Sequence, residues 1–258
     1  MADRSVRVGG GDRRGLSEAL GFALVFGVIV TSAGLVYATG FEDLRETRNA
    51  EQATNAERAF DVLKANLEDM SKRGAPSRAT EIKLADAELY TDERARMTVN
   101  VTNASNASDF ETFSFAYEPL VYETDDNAIV YANGAVLRRS AGGVAVIKPP
   151  EFVFDSGRTL LPLVHTYTDG DAGGVSGDTT TLVRTELTAS ALHILRTDPA
   201  TNYTVTVSME TPRAEAWARY YERNGLTCST VTDDELTCEL AGVSGVQVSR
   251  IYVEVLFE

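Results

Sequence analysis

Two cysteines and two histidines are all that the 258 residues contain, too few for an all-protein Cys/His zinc site and a poor basis for thiol or imidazole catalysis. Lysine is nearly as scarce: Lys64, Lys72, Lys83 and Lys148 are the four, and the other basic residues are arginines. With 24 basic against 38 acidic side chains the net charge is -14, which argues against the basic face that a nucleic-acid binder needs to neutralise phosphates. Neither a G-x-S-x-G elbow nor a phosphate-cradling P-loop occurs. Acid, Ala, Val and Thr are plentiful instead, a composition suited to high salt, where screening removes much of the self-repulsion. The length allows one large domain or two small ones with a substantial core.

Charge is also missing from one long run. From Ala19 to Phe41 there are 23 uncharged residues dense in Leu, Val, Ile and Phe. At about 1.5 Å per residue they span roughly 34 Å as a helix, enough for the hydrocarbon of a bilayer. Arg4, Arg7, Arg13 and Arg14 precede the run against Asp3 and Asp12, and Glu42, Asp43 and Glu46 follow it. The positive-inside bias then predicts a single pass with the N-terminus cytoplasmic and the C-terminal bulk extracellular. Within the span Ala19, Ala23, Gly27 and Thr31 recur every fourth residue, a small-residue stripe that lets helices approach closely in lipid. Glu18, at the cytoplasmic edge, is either an interfacial carboxylate at the headgroups or one that meets a cation, such as a neighbouring subunit's N-terminal amine.

The stretch Arg13-Arg14-Gly15-Leu16-Ser17-Glu18-Ala19-Leu20-Gly21, followed by an apolar helix, resembles the class III signal peptide of archaeal type IV pilins and archaellins. The resemblance implies a basic leader, residues 1–15, removed between Gly15 and Leu16 by a membrane prepilin peptidase, with the apolar helix kept as filament core or membrane anchor. It puts Glu18 at mature position three, where bacterial pilins usually carry Glu at position five. The implied partners are identical or related pilin-like subunits, the peptidase with its assembly platform, and membrane lipid. In composition and layout the rest of the chain is similar to haloarchaeal pilin-like surface proteins. A competing reading takes Arg13-Arg14 as a twin-arginine export signal, cut near Ala38 to release a soluble protein.

No Pro or Gly interrupts Glu42 to Arg73, where Phe60, Leu63, Leu67 and Met70 form a stripe at helical period. Gly74 and Pro76 stop the pattern, and Lys72 and Arg73 suit the last turn. This predicts one helix from Leu16 to Arg73, membrane segment 16–41 continuing as a stalk 42–76, with a break near Gly40 as the alternative. Between Arg45 and Arg58 the apolar residues are alanines, so that section is expected to cross solvent or pack lightly.

Residues 77–258 read as the β-rich extracellular domain. Alternation at Glu81–Leu89, Arg96–Val101, Glu111–Tyr117, Tyr203–Met209 and Arg250–Phe257 predicts half-buried strands. Ala145–Ile147, Phe152–Phe154 and Thr181–Leu187 are further candidates, and Asn133-Gly134 is the strongest hairpin signal. Pro212–Arg223 predicts one inserted helix, with Thr211 as its cap, Gly225 past its end, and Trp217, Tyr220 and Tyr221 toward the core. The expected fold is therefore α+β: a long N-terminal transmembrane and stalk helix, then a mostly antiparallel, sandwich-like head.

Cys228 and Cys238 flank the acidic turn Thr232–Glu235 and are expected to pair as a disulfide in an extracellular hairpin; two buried thiols are the alternative. Four Asn-x-Ser/Thr sequons, at Asn100, Asn103, Asn106 and Asn202, mark candidate N-glycosylation sites. Asn106 is favoured, while Asn100 and Asn202 sit near strands and are open to steric hindrance. Asp169, Asp171 and Asp178, in a Gly-rich loop, are better read as solvated charge than as a calcium site, and His165 and His193 as satisfied structural histidines. No catalytic constellation, metal or cofactor is expected. The reading is thus a non-enzymatic, pilin-like surface protein with an assembly or adhesion role. The alternative is a membrane-tethered or secreted β domain that binds a ligand or envelope component without forming filaments.

Overall fold

The computed structural model describes residues 12–258 except 93, 94, 156, 171, 172 and 199, with side chains from Glu18 onward apart from those of 38–43 and 46. The chain divides between Glu51 and Gln52 into two compact units, and helix α1 (Asp12–Arg73) contributes to both. It runs through Gly40 unbroken, as the absence of proline allows. In the first unit every described side chain from Glu18 to Glu51 is exposed. Along this stretch the Ser32 hydroxyl donates to the Val28 carbonyl at 2.7 Å, a back-bond that satisfies a hydroxyl within its own helix.

In the second unit α1 buries Ala53, Ala56, Phe60, Leu63, Leu67 and Met70, three and four residues apart, which places them on one face. The exposure expected between Arg45 and Arg58 holds for the described residues up to Glu51 but not beyond it, where Ala53 is 5 % and Ala56 3 % exposed. Alanine has no side chain beyond Cβ, so it lets a helix sit close to a sheet. Gly74, at φ +65°, ends the helix in the left-handed conformation that glycine adopts without strain.

The strands follow as β1 (Ser77–Lys83), β2 (Ala87–Thr91), β3 (Ala95–Asn103), β4 (Asn106–Tyr117), β5 (Leu120–Glu123), β6 (Ala128–Ala132), β7 (Ala135–Ser140), β8 (Gly143–Lys148), β9 (Val153–Phe154), β10 (Thr159–Tyr167), β11 (Val175–Gly177), β12 (Thr180–Arg196) and β13 (Tyr203–Glu210). Helix α2 (Ala214–Arg223) comes next, then β14 (Thr227–Val231), β15 (Glu235–Val243) and β16 (Val246–Phe257). They form three sheets: A, in the order β1-β12-β16-β10-β9; B, β11-β2-β5-β6-β7-β8; and C, β14-β15-β13-β3-β4. Among the described residues every pairing is antiparallel except β10 with β16. The fold is α+β with a sandwich-like body, as the alternation predicts.

The central strands of sheet B, β5 and β6, are buried on both faces, and the alternation divides their side chains between two cores. Ile129 and Tyr131 of β6 join Leu120, Tyr122 and Val136 in the core beneath α1. Ala128, Val130 and Ala132 face the other core, with sheet C and Trp217, Tyr220 and Tyr221 of α2. The layers are therefore the C-terminal part of α1, then sheets A and B, then sheet C with α2.

Three local expectations are corrected. Glu81–Leu89 is two strands, because Ala85 and Asp86 at φ 51° and 71° turn the chain from sheet A into sheet B. The alternation survives since Ile82, Leu84, Ala87 and Leu89 all reach the same core. Helix α2 begins at Ala214, not Pro212: Arg213 has a non-helical backbone, and the Ala214 amide donates to the Thr211 carbonyl at 3.1 Å. The loop expected over Asp169–Asp178 contains β11, which pairs with β2. At Asn133-Gly134, φ values of 44° and 85° make the tight β6–β7 turn that the dipeptide predicts.

Candidate functional site

Glu18–Tyr37 is a 20-residue helical segment long and apolar enough to cross a membrane. Leu20, Phe22, Leu24, Val25, Phe26, Val28, Ile29 and Val30 are each more than half exposed. Such an N-terminal apolar helix has the character of a membrane anchor or a signal sequence. Ala19, Ala23, Gly27 and Thr31 are exposed too, and nothing described lies within 4 Å of where a Cβ would stand at Gly27. Glu18 is exposed at the start of the segment. Gly15 and Leu16 fall within the α1 backbone, ahead of Glu18, where the described side chains begin.

The sequons converge at sheet C. Asn103 and Asn106 close the β3–β4 hairpin, and the Asn202 carbonyl accepts from the Ala104 amide in the same turn at 2.9 Å. Asn106 and Asn202 are exposed, whereas Asn100 and Asn103 are half-buried. The Asn103 amide nitrogen donates to Asp109 at 3.1 Å, and Asn100 lies mid-strand opposite Thr112 and Thr206 with its Oδ1 buried and unpartnered. The hindrance expected at Asn100 fits this placement; that expected at Asn202 does not, because Asn202 precedes β13 and is open. Beyond the turn the outer face of sheet C is a register of hydroxyls. Thr98 donates to Ser114 at 2.9 Å, and Ser208 bonds Thr237 at 3.0 Å.

Cys228 and Cys238 form a disulfide between directly paired positions of β14 and β15. Cys238 is fully buried in the core under sheet C, so the bond anchors the outermost strand of that sheet to its interior.

The two histidines are not isolated. Where β4 of sheet C lies over β10, β12 and β16 of sheet A, the Arg250 guanidinium carbon is 4.0 Å from the centre of the Tyr252 ring, 4.8 Å from Phe113 and 5.2 Å from Phe115. His193 stacks on Phe113 at 3.8 Å, and His165 lies 5.3 Å from Tyr252 and 6.0 Å from Phe115. Neither imidazole is the satisfied structural histidine expected: His165 Nδ1 and His193 Nε2 are buried without a hydrogen-bond partner, as is Arg250 Nε. Burial, then the Arg250 charge, pushes His165 down to about 4 and His193 in the same direction. Sequence reasoning missed this grouping. Phe113/Phe115, His165/Tyr167 and Arg250/Tyr252 are each two apart on one strand face, but which strands meet is a property of topology.

A cleft of about 360 Å³ opens between β8, Pro149-Pro150 and α2, lined by Phe152, Tyr220, Arg219 and Arg223. It holds no nucleophile paired with a base. No group of three or more His, Cys, Asp or Glu that could hold a metal occurs among the described residues. Asp169 and Asp178 are described, and Asp171 lies outside the described residues.

Residues 14–256 match the model of a family described as Family of unknown function (DUF7289), and the chain belongs to that family. No curated protein and no solved structure matches it.

Proposed function

We propose that this member of a family of unknown function is a pilin-like, membrane-anchored surface protein without catalytic activity, presenting its β-rich unit outside the cell for assembly or adhesion. The observation that carries the reading is the division of one helix. Glu18–Tyr37 is apolar and exposed on every side, whereas from Ala53 onward the same helix buries a regular stripe in the core. An apolar helix in this state needs lipid or neighbouring helices, and the Ala19/Ala23/Gly27/Thr31 stripe supports close approach of a second copy.

In this reading the arginine-rich leader stays cytoplasmic and is removed before Leu16, Glu18 sits at the membrane edge, and the sheet C turn with Asn106 and Asn202 carries glycans. The partners are identical or related subunits, the prepilin peptidase with its assembly platform, and lipid. A disulfide and sequons suit an oxidising, extracellular setting. Shearing surface filaments from cells and probing them with an antibody to the β unit tests the assembly role. The chain is expected in the filament fraction, and Gly15→Val, which blocks processing of the leader, is expected to remove it. A chain that stays wholly in the membrane fraction, with filaments unchanged by its deletion, contradicts filament assembly.

A further inference from the structure

We propose that Arg250, with His165 and His193 beside it, is a binding site for a carboxylate group at the junction of sheets A and C. The argument starts from an imbalance. In a chain with 38 acidic side chains, Arg250 is 9 % exposed and none of the described carboxylates pairs with it. The rings of Tyr252, Phe113 and Phe115 lie against its guanidinium instead. The acids closest in sequence on β4, Asp109 and Glu111, are engaged by Arg196 at 3.4 and 3.2 Å. Buried charges are ordinarily paired, because desolvation of an unpaired one is costly.

Rings stacked against a guanidinium cover its faces and leave the hydrogen-bond donors at its edge unsatisfied. Three polar nitrogens, Arg250 Nε, His165 Nδ1 and His193 Nε2, lack a partner in this one cluster. Phe115 is buried, but Phe113, His165, His193 and Tyr252 are half-buried, so solvent reaches part of the cluster. A planar, two-oxygen acceptor matches the guanidinium edge and has lone pairs left for an imidazole N–H on either side. The charge count favours a monoanion: the Arg250 guanidinium supplies one positive charge, and a dianionic phosphate would leave a buried negative excess. The carboxylate is either free in solution or carried by a second copy of this acidic chain, and dilution separates these sources.

The chain has just two histidines, and both lie here, so histidine NMR reads this site alone. The experiment uses the full chain in detergent with 13C-labelled imidazoles, titrated with sodium acetate at constant ionic strength against sodium chloride. Saturable shifts of both resonances in acetate, not matched by chloride, are expected, together with a rise in the pH at which each imidazole titrates. Arg250→Gln is expected to abolish the shifts. Arg250→Lys keeps the charge but loses the fork, and it is expected to weaken binding about tenfold; it also serves if the Gln variant does not fold. Shifts that appear on concentrating the protein without acetate assign the carboxylate to a second copy, and shifts that need acetate assign it to a small ligand. Resonances indifferent to both overturn the site, as does chloride acting as strongly as acetate, or Arg250→Lys binding as tightly as the native chain.

Discussion

Asn133 does more than turn the chain between β6 and β7. It is fully buried, accepts the Val164 amide at 2.9 Å through Oδ1, and donates to the Met97 sulfur at 3.1 Å through Nδ2, so it ties sheet B to β10 of sheet A and β3 of sheet C. Its φ of 44° adds strain for any side chain that cannot bond locally. Asn133→Ala leaves a buried amide unpaired and is expected to cost about 2 to 4 kcal/mol, read as a lower denaturant midpoint with unchanged slope. At His165 the sign of the pH effect follows from the depressed value. Unfolded, the imidazole takes up its proton as pH falls below about 6.5; folded, it does so only near 4. The unfolded state therefore binds more protons in that interval, and the stability held above 6.5 is lost as pH falls toward 4. His193 acts in the same direction. Denaturation midpoints between pH 7 and 4 are expected to fall more steeply for the native chain than for a His165→Gln, His193→Gln double variant; parallel slopes contradict this.

Along α1 the same helical pattern serves two environments, and substitutions separate them. Leu63 is 1 % exposed and its neighbour Val62 52 %. Leu63→Ala is expected to cost about 2 to 5 kcal/mol and Val62→Ala well under 1 kcal/mol by thermal unfolding. Gly27→Leu in the exposed segment is expected to leave the melting of the β unit unchanged while weakening self-association in detergent, measured by sedimentation. Reducing the Cys228–Cys238 bond, which closes a short loop, is expected to destabilise by about 2 to 4 kcal/mol in the chain-entropy account. Much at this scale was legible beforehand: the helix stop at Gly74, the Asn133-Gly134 turn, the disulfide and most strands are local signals. What was not legible depended on pairing. The kink at Ala85-Asp86 is masked because both strands feed one core, and β12 reads as Thr181–Leu187 although it runs to Arg196, because register shifts at Leu187/Ala189 and Leu192/Ile194 break the alternation of its second half. The Arg250 cluster and the convergence of Asn202 with Asn103 and Asn106 have the same origin.

For the whole molecule, a net charge of -14 opposes compaction at low ionic strength, since surface ion pairs such as Arg138–Glu57 and Lys148–Asp61 each contribute at most about 1 kcal/mol. Screening relieves that repulsion, so the melting temperature is expected to rise as sodium chloride is taken from 0.1 M to molar levels; a flat or falling response contradicts this. A pilin-like role requires the exposed apolar helix to stay attached and to tether the β unit to the membrane or to other copies. Intact-mass measurement of the native protein from detergent-extracted membranes tests it directly. A detergent-dependent species whose first residue is Leu16 is expected; a detergent-free species in the culture fluid beginning near Thr39 would contradict the tether.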